Sequence, residues 1–234
     1  MRELLNIENL RAGYGEAVVL PDMTLKLADG EVLALLGRNG TGKTTLINSI
    51  VGATRRFSGT IQLGDVDLTP LRSDQRARVG IGWVPQERNI FRSLTVEENM
   101  TAVAQPGPWD VERVYTMFPR LKERRKNFGN QLSGGEQQML AIGRALTLNP
   151  KVLLLDEPAA GVPQSERHDI LAAVASLPRE VTVLLIEHDM DLVFSFADRI
   201  SVLVNGALLV EGTPDEVARD PRVKAVYLGE GADA

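Results

Sequence analysis

The chain contains no cysteine. A disulfide framework and a thiolate metal site are therefore excluded, and a reducing compartment is compatible with the composition. Aromatic residues make up only 5% of the chain and histidine occurs twice, as His168 and His188. No stretch approaches the roughly 18 consecutive apolar residues that a membrane-spanning helix requires. The first residues, Glu3-Leu4-Leu5, carry no signal-peptide pattern. These absences predict a soluble, cytoplasmic chain that would reach a membrane only through a partner. Excess basic charge is also lacking. The net charge of −5 disfavours nucleic-acid binding by bulk charge, and no nucleic acid is expected as a partner. What is present is ordinary: 234 residues, 44% hydrophobic and 24% charged, suit one large domain or a core carrying a smaller subdomain.

One stretch departs from the ordinary. Gly37-Arg38-Asn39-Gly40-Thr41-Gly42-Lys43-Thr44-Thr45 follows the apolar run Val32–Leu36 and opens a segment with helical spacing at Leu46, Ile47, Ile50 and Val51, ending at Gly52. Strand, glycine-rich turn and helix form the context in which G-x-x-x-x-G-K-[ST] is a phosphate-binding P-loop. Its glycines let backbone N–H groups converge on phosphate oxygens, and the helix N-terminus adds partial positive charge. Lys43 would reach the β- and γ-phosphates and the Thr44 hydroxyl would sit on Mg²⁺. A chain of this length meets the bare pattern by chance on the order of one time in a hundred, and the flanking pattern makes chance rarer still. A nucleoside triphosphate is the expected ligand.

Ahead of the loop, residues 3–36 read as strands, with turn signals at Gly13-Tyr14-Gly15, Pro21-Asp22 and Asp29-Gly30. They suggest an antiparallel β layer before an α/β core. Tyr14 suits purine stacking or simple packing equally well. Behind the loop, Gly59–Leu63 reads as a short strand, residues 73–79 as a helix, and Ile81–Val84 as a strand stopping at Pro85. Gln86 follows; its carbonyl oxygen is able to ligate Mg²⁺, although a loop glutamine by itself reads as solvated. Residues 95–148 are predicted to form a mainly helical subdomain. Thr95-Val96-Glu97-Glu98 has capping-box spacing, and Asp110 precedes a second helical stretch ending near Phe118-Pro119. The basic run Lys122–Lys126 reads as a solvated face.

Leu132-Ser133-Gly134-Gly135-Glu136-Gln137-Gln138 places serine and paired glycines ahead of another helix, a second anion-ready N-terminus in one chain. Two continuously apolar runs follow, as strands buried on both faces require: Val152–Leu155, ending in Asp156-Glu157-Pro158, and Val181–Ile186, ending in Glu187-His188-Asp189. Ligands of open α/β sheets bind at the carboxyl ends of strands, so these groups are expected at one crevice. Asp156 is suited to hold Mg²⁺ directly or through water. Glu157 is suited to polarise an attacking water, and His188 to contact a γ-phosphate. His168 has no such context and reads as surface. Residues 198–228 predict a hairpin around Asn205-Gly206 and short helices after Pro214 and Pro221.

Taken in this order, Gly37–Thr45, Gln86, Leu132–Gln138, Leu153–Pro158 and His188 resemble the ATP-binding subunit of an ABC transporter over essentially the whole chain. The resemblance implies a single cassette domain, residues 1–234: a P-loop NTPase core of mainly parallel sheet, an N-terminal antiparallel β layer, and the helical subdomain at about 95–148. It explains the second phosphate cradle. In the family two subunits pair head to tail, and each ATP lies between one P-loop and the partner's Ser133-Gly134-Gly135. Tyr14 becomes the adenine-stacking aromatic, Gln86 the Mg²⁺ and coupling glutamine, Glu157 the general base and His188 the γ-phosphate switch. ATP and Mg²⁺ are the implied cofactors.

The implied partners are a second ATP-binding subunit, identical or not, membrane permease subunits, and indirectly a substrate-binding protein. The implied location is the inner face of the cell membrane, with Asn89–Met100 near the permease contact. Within the family, Ala12–Gly15, Ile90–Asn99, Glu187–Met190 and Asp220–Glu230 resemble branched-chain amino acid and related urea or amide uptake systems. Those systems use two ATPases: the first half of this chain resembles one, and Glu157–Gly161 with Glu187–Met190 resembles the other. After Gly161, where many members carry a Leu-Asp pair linking the two ATP sites, this chain has Val162-Pro163. Hydrolysis is expected to be intact because Glu157 is present. A soluble ABC ATPase acting on ribosomes or DNA would call for tandem cassettes or a basic face. A small-molecule P-loop kinase would lack Ser133-Gly134-Gly135.

Overall fold

A computed structural model describes residues 2–188 and 190–228. Asp189, within the Glu187–Met190 match, and Gly229 and Glu230, at the end of the Asp220–Glu230 match, lie outside the described residues. The chain forms two compact units, Met1–Arg76 with Thr182–Ala234, and Ala77–Val181. In chain order the first contains β1 (Glu3–Tyr14), β2 (Ala17–Ala28), β3 (Val32–Leu36), α1 (Lys43–Val51), β4 (Arg55–Leu63), β5 (Val66–Asp67) and the start of α2 (Ser73–Val79). The second continues with β6 (Ile81–Val84), α3 (Val96–Thr101), α4 (Val111–Met117), α5 (Pro119–Glu123), α6 (Gly134–Leu146), β7 (Val152–Asp156) and α7 (Gln164–Ala175). The chain then returns to the first through β8 (Thr182–Ile186), α8 (Met190–Phe196), β9 (Arg199–Val204), β10 (Ala207–Gly212), α9 (Pro214–Arg219) and α10 (Pro221–Leu228).

In the first unit an antiparallel sheet runs in the order β2-β1-β4-β5. Its core side is drawn from Leu5, Ile7, Leu10, Leu20, Met23, Leu25 and Leu27, all fully buried. Period-two spacing holds along β1 except where register shifts insert bulges. The turn expected at Pro21-Asp22 does not form; β2 continues through it. Pro21 lies between the pairs Ala12↔Leu20 and Leu10↔Met23, beside a register shift. On an outer strand the missing N–H interrupts no ladder. β4 also starts earlier than the spacing predicts, because β1 keeps pairing with it as far as Gly13↔Arg55.

The second layer of this unit follows the order β10-β9-β3-β8, with β3 parallel to both β8 and β9. Leu33–Leu36 and Val183–Ile186 are buried throughout, as their unbroken apolar runs require. β9 and β10 form the expected hairpin, with Asn205 and Gly206 at φ 51° and 77°, the left-handed pair that a tight hairpin turn needs. α1 packs against β1, β2 and β4.

In the second unit β6 and β7 pair in parallel, from Ile81↔Val152 to Val84↔Leu155. α6 is the central helix of this unit, packed against α3, α4, α5, α7 and β6. Its Leu140, Ile142 and Leu146 are fully buried, as are Met100, Val114 and Leu121 on the helices around it. Thr95 caps α3 in a capping box and Asp110 caps α4, as the spacing predicts. Pro119 then opens α5 at its first turn, where a missing N–H costs nothing. In the basic run, Lys122 pairs with Glu112 at 2.9 Å on the exposed face.

Candidate active site

β3 delivers the chain into the glycine loop. Gly37 and Gly42 have φ of 153° and 102°, and a Cβ at Gly37 would lie 2.6 Å from the Leu203 carbonyl oxygen. Glycine is required there by both conformation and space. Gly40 is likewise left-handed, at φ 80°. The Lys43 ammonium is buried and donates to the carbonyls of Gly37 at 2.7 Å and Arg38 at 3.0 Å, so it lies folded into the loop. Thr41 Oγ1 also donates to the Arg38 carbonyl, at 2.8 Å. Arg38, Asn39, Gly40 and Thr44 are exposed and Thr45 is buried. α1 begins after Gly42 with no side-chain cap and no acidic residue in its first turn. A helix start with neither a capping side chain nor a nearby acid suits an anion.

Tyr14 ends β1, 46% exposed. Its hydroxyl accepts from Asn48 Nδ2 at 2.8 Å, which ties the ring to α1. Asn48 was not identifiable from the sequence, where it is one more polar residue on a helix. In the same unit β8 lies beside β3 with Leu35 opposite Ile186, so Glu187 and His188 leave the sheet next to the start of the P-loop. Glu187 is buried, and its carboxylate accepts from the backbone N–H of the exposed His188 at 2.8 Å. His168 is exposed on α7, as expected.

The second unit holds the acidic groups. Asp156 ends β7 and is buried. Glu157 follows at φ 49°, a left-handed conformation uncommon for a side-chain-bearing residue. Its carboxylate accepts from Gln86 Nε2 at 3.0 Å, so two predicted site residues 71 positions apart are in direct contact. With the amide nitrogen so engaged, the Gln86 carbonyl oxygen is the atom suited to a cation.

Ser133 caps α6: its hydroxyl accepts from the Glu136 N–H at 3.1 Å, and Glu136 accepts from the Ser133 N–H at 2.9 Å. Gly134 and Gly135 form the first turn. A Cβ on Gly135 would lie 1.8 Å from Glu166 Oε2, so a side chain there displaces Glu166. Arg88, which had no recognisable sequence signal, reaches both Gln138 of α6 and the turn after Glu157.

A P-loop heading an uncapped helix, and a carboxylate pair at the end of a buried strand, define a P-loop ATPase. The particular family follows from comparison. Residues 20–160 match the ABC transporter family model, and residues 207–233 match that of the branched-chain amino acid ATP-binding cassette transporter. The high-affinity branched-chain amino acid transport ATP-binding protein BraG of Pseudomonas aeruginosa is 38% identical, covering 97% of this chain and 100% of its own. The lipopolysaccharide export system ATP-binding protein LptB of Acidithiobacillus ferridurans is also 38% identical, covering 98% of each. Among solved structures, the ADP conformation of MJ1267, an ATP-binding cassette of an ABC transporter, superposes with a TM-score of 0.82 at 30% identity, covering 98% of this chain and 100% of that one. The chain belongs to the ABC transporter ATP-binding family and is an ATPase. Among the described residues no helix is long and apolar enough to cross a membrane.

Proposed function

We propose that this chain is a single cassette that energises an importer of branched-chain or related amino acids, working as a head-to-tail pair of ATP-binding subunits. The observation that carries the cargo assignment is the match of residues 207–233, the hairpin strand β10 and the helices after it, to the branched-chain family model. Overall identity favours neither amino acid transport nor lipopolysaccharide export, since the two relatives stand at 38% each.

In this reading Tyr14 stacks on adenine, residues 37–45 cradle the phosphates, and Lys43 leaves its two loop carbonyls for the β- and γ-phosphates. Glu157 polarises the attacking water, held in place by Gln86, and His188 contacts the γ-phosphate. We assign Mg²⁺ to the Thr44 hydroxyl and the side-chain oxygens of Gln86 and Asp156, a hard donor set of the kind this cation takes. When bound, Mg²⁺ neutralises charge on the phosphates. Ser133, Gly134 and Gly135 present the α6 N-terminus to the ATP of the partner subunit. Permease subunits, contacted near Asn89–Met100 at the inner membrane face, pass the motion to the cargo path, and a substrate-binding protein acts indirectly through them.

The test is uptake of labelled leucine in a strain lacking this gene, complemented by the wild-type chain or by Glu157→Gln. Loss of uptake, restored only by the wild type, is expected. Unchanged leucine uptake, with loss of urea or amide uptake or of lipopolysaccharide delivery, would overturn the cargo assignment.

A further inference from the structure

We propose that Arg88 is a positioning residue that clamps the turn after Glu157 to the loop carrying Gln86 and to the helix headed by Ser133. The inference rests on the reading of Glu157 as general base. Arg88 donates through Nε to Gln138 Oε1 at 3.2 Å, and through Nη2 to the carbonyls of Ala160 at 3.1 Å and Gly161 at 3.0 Å. Gln138 is completely buried on α6. Ala160 and Gly161 belong to the turn that begins at Glu157, which the Ala160 N–H closes onto the Glu157 carbonyl at 2.9 Å. One guanidinium therefore joins three segments that each carry an assigned residue: the Gln86 loop, α6 behind Ser133, and the Glu157 turn.

The backbone around Arg88 is bent to make this reach. Arg88 and Asn89 are consecutive left-handed residues, at φ 65° and 48°, a combination that side-chain-bearing residues adopt only when surrounding contacts hold it. The bend is closed by the Arg88 N–H on the Pro85 carbonyl at 2.9 Å and the Asn89 N–H on the Glu87 carbonyl at 2.7 Å. It turns the side chain back across the loop immediately after Gln86. The planar fork of arginine supplies donors in two directions at once, which a lysine ammonium on its single stem does not reproduce. Glu157 is itself left-handed and accepts from Gln86. Its position therefore depends on the loop and the turn keeping their spacing, and Arg88 fixes that spacing through the Ala160 and Gly161 carbonyls.

The variants are Arg88→Gly, which suits the left-handed backbone while removing the guanidinium, and Arg88→Lys, which keeps the charge. Both are measured on the intact chain by steady-state ATP hydrolysis and by amide hydrogen exchange, beside Glu157→Gln. We expect both variants to lose about tenfold or more in kcat with KM for ATP within about twofold of the wild type. Exchange should quicken about tenfold in residues 157–162 and 133–138 and stay unchanged in α1 and β7. Wild-type kcat in Arg88→Gly, full rescue by Arg88→Lys, or faster exchange spread equally over β7 and α1 would overturn the assignment. If Glu157→Gln retains the wild-type rate, the general-base reading fails. If Glu157→Gln is inactive while Arg88→Gly is not, only the clamp fails.

Discussion

Lys43 is buried with its ammonium on two loop carbonyls, and in the proposed site it would exchange these for phosphate. Lys43→Ala should weaken ATP binding by about tenfold or more, read by titration with a fluorescent ATP analogue, because it removes a charge-assisted contact. Retained affinity would remove Lys43 from the phosphate site. Asn48→Ala should raise KM for ATP without lowering kcat, since the Asn48 side chain donates to the Tyr14 hydroxyl and so orients the exposed ring. A fall in kcat at constant KM would show that Asn48 acts elsewhere. Among the described residues the buried Tyr115 hydroxyl has no hydrogen-bond partner, and burial pushes its pKa up to about 12. Tyr115→Phe should therefore leave the thermal midpoint unchanged or raise it. At this scale the sequence placed most readily the residues tied to short spacing: the glycine turn heading α1, Ser133 capping α6, and Asp156-Glu157 at the end of β7. Arg88 and Asn48 were not legible, because their partners lie 50 to 73 and 34 positions away respectively.

Helix starts were the most readable elements, because a cap and its acceptor lie within one turn of sequence. Asp110 accepts from the Arg113 N–H at 2.7 Å, and Asp110→Ala should cost about 1 kcal/mol in chemical denaturation. The Thr95 box holds Glu98 below the usual carboxylate range, through the Thr95 backbone N–H first and its hydroxyl second. A depressed folded pKa stabilises above the unfolded value and is lost as pH falls through the folded one. The wild type should therefore lose stability over that acid range more steeply than Glu98→Gln, and parallel acid limbs would contradict this. β2 was misread at Pro21-Asp22 because proline signals a turn locally, and only the pairing partner reveals an outer strand with a register shift. The early start of β4 has the same origin: strand length is set by β1, far away in sequence.

At the scale of the molecule, the order of motifs was enough to identify the family. The apolar runs before Gly37, Asp156 and Glu187 are all buried strands, which is why an unbroken run could be read as interior sheet. Cargo was less legible for a physical reason. In the proposed importer the substrate meets the permease and binding-protein subunits, so no side chain here is selected for its shape. In the proposed head-to-tail pair, Ser133-Gly134-Gly135 at the start of α6 is the cradle that a second copy of the cassette would employ.

The most direct test is the solution mass of Glu157→Gln by size-exclusion chromatography with light scattering, with and without Mg-ATP. The account predicts that ATP converts a 25.6 kDa chain into a species of twice that mass, and that adding Ser133→Arg abolishes the conversion. A mass that ignores ATP at saturation would contradict pairing of this cassette with a second copy of itself, and a dimer that survives Ser133→Arg would contradict the head-to-tail arrangement.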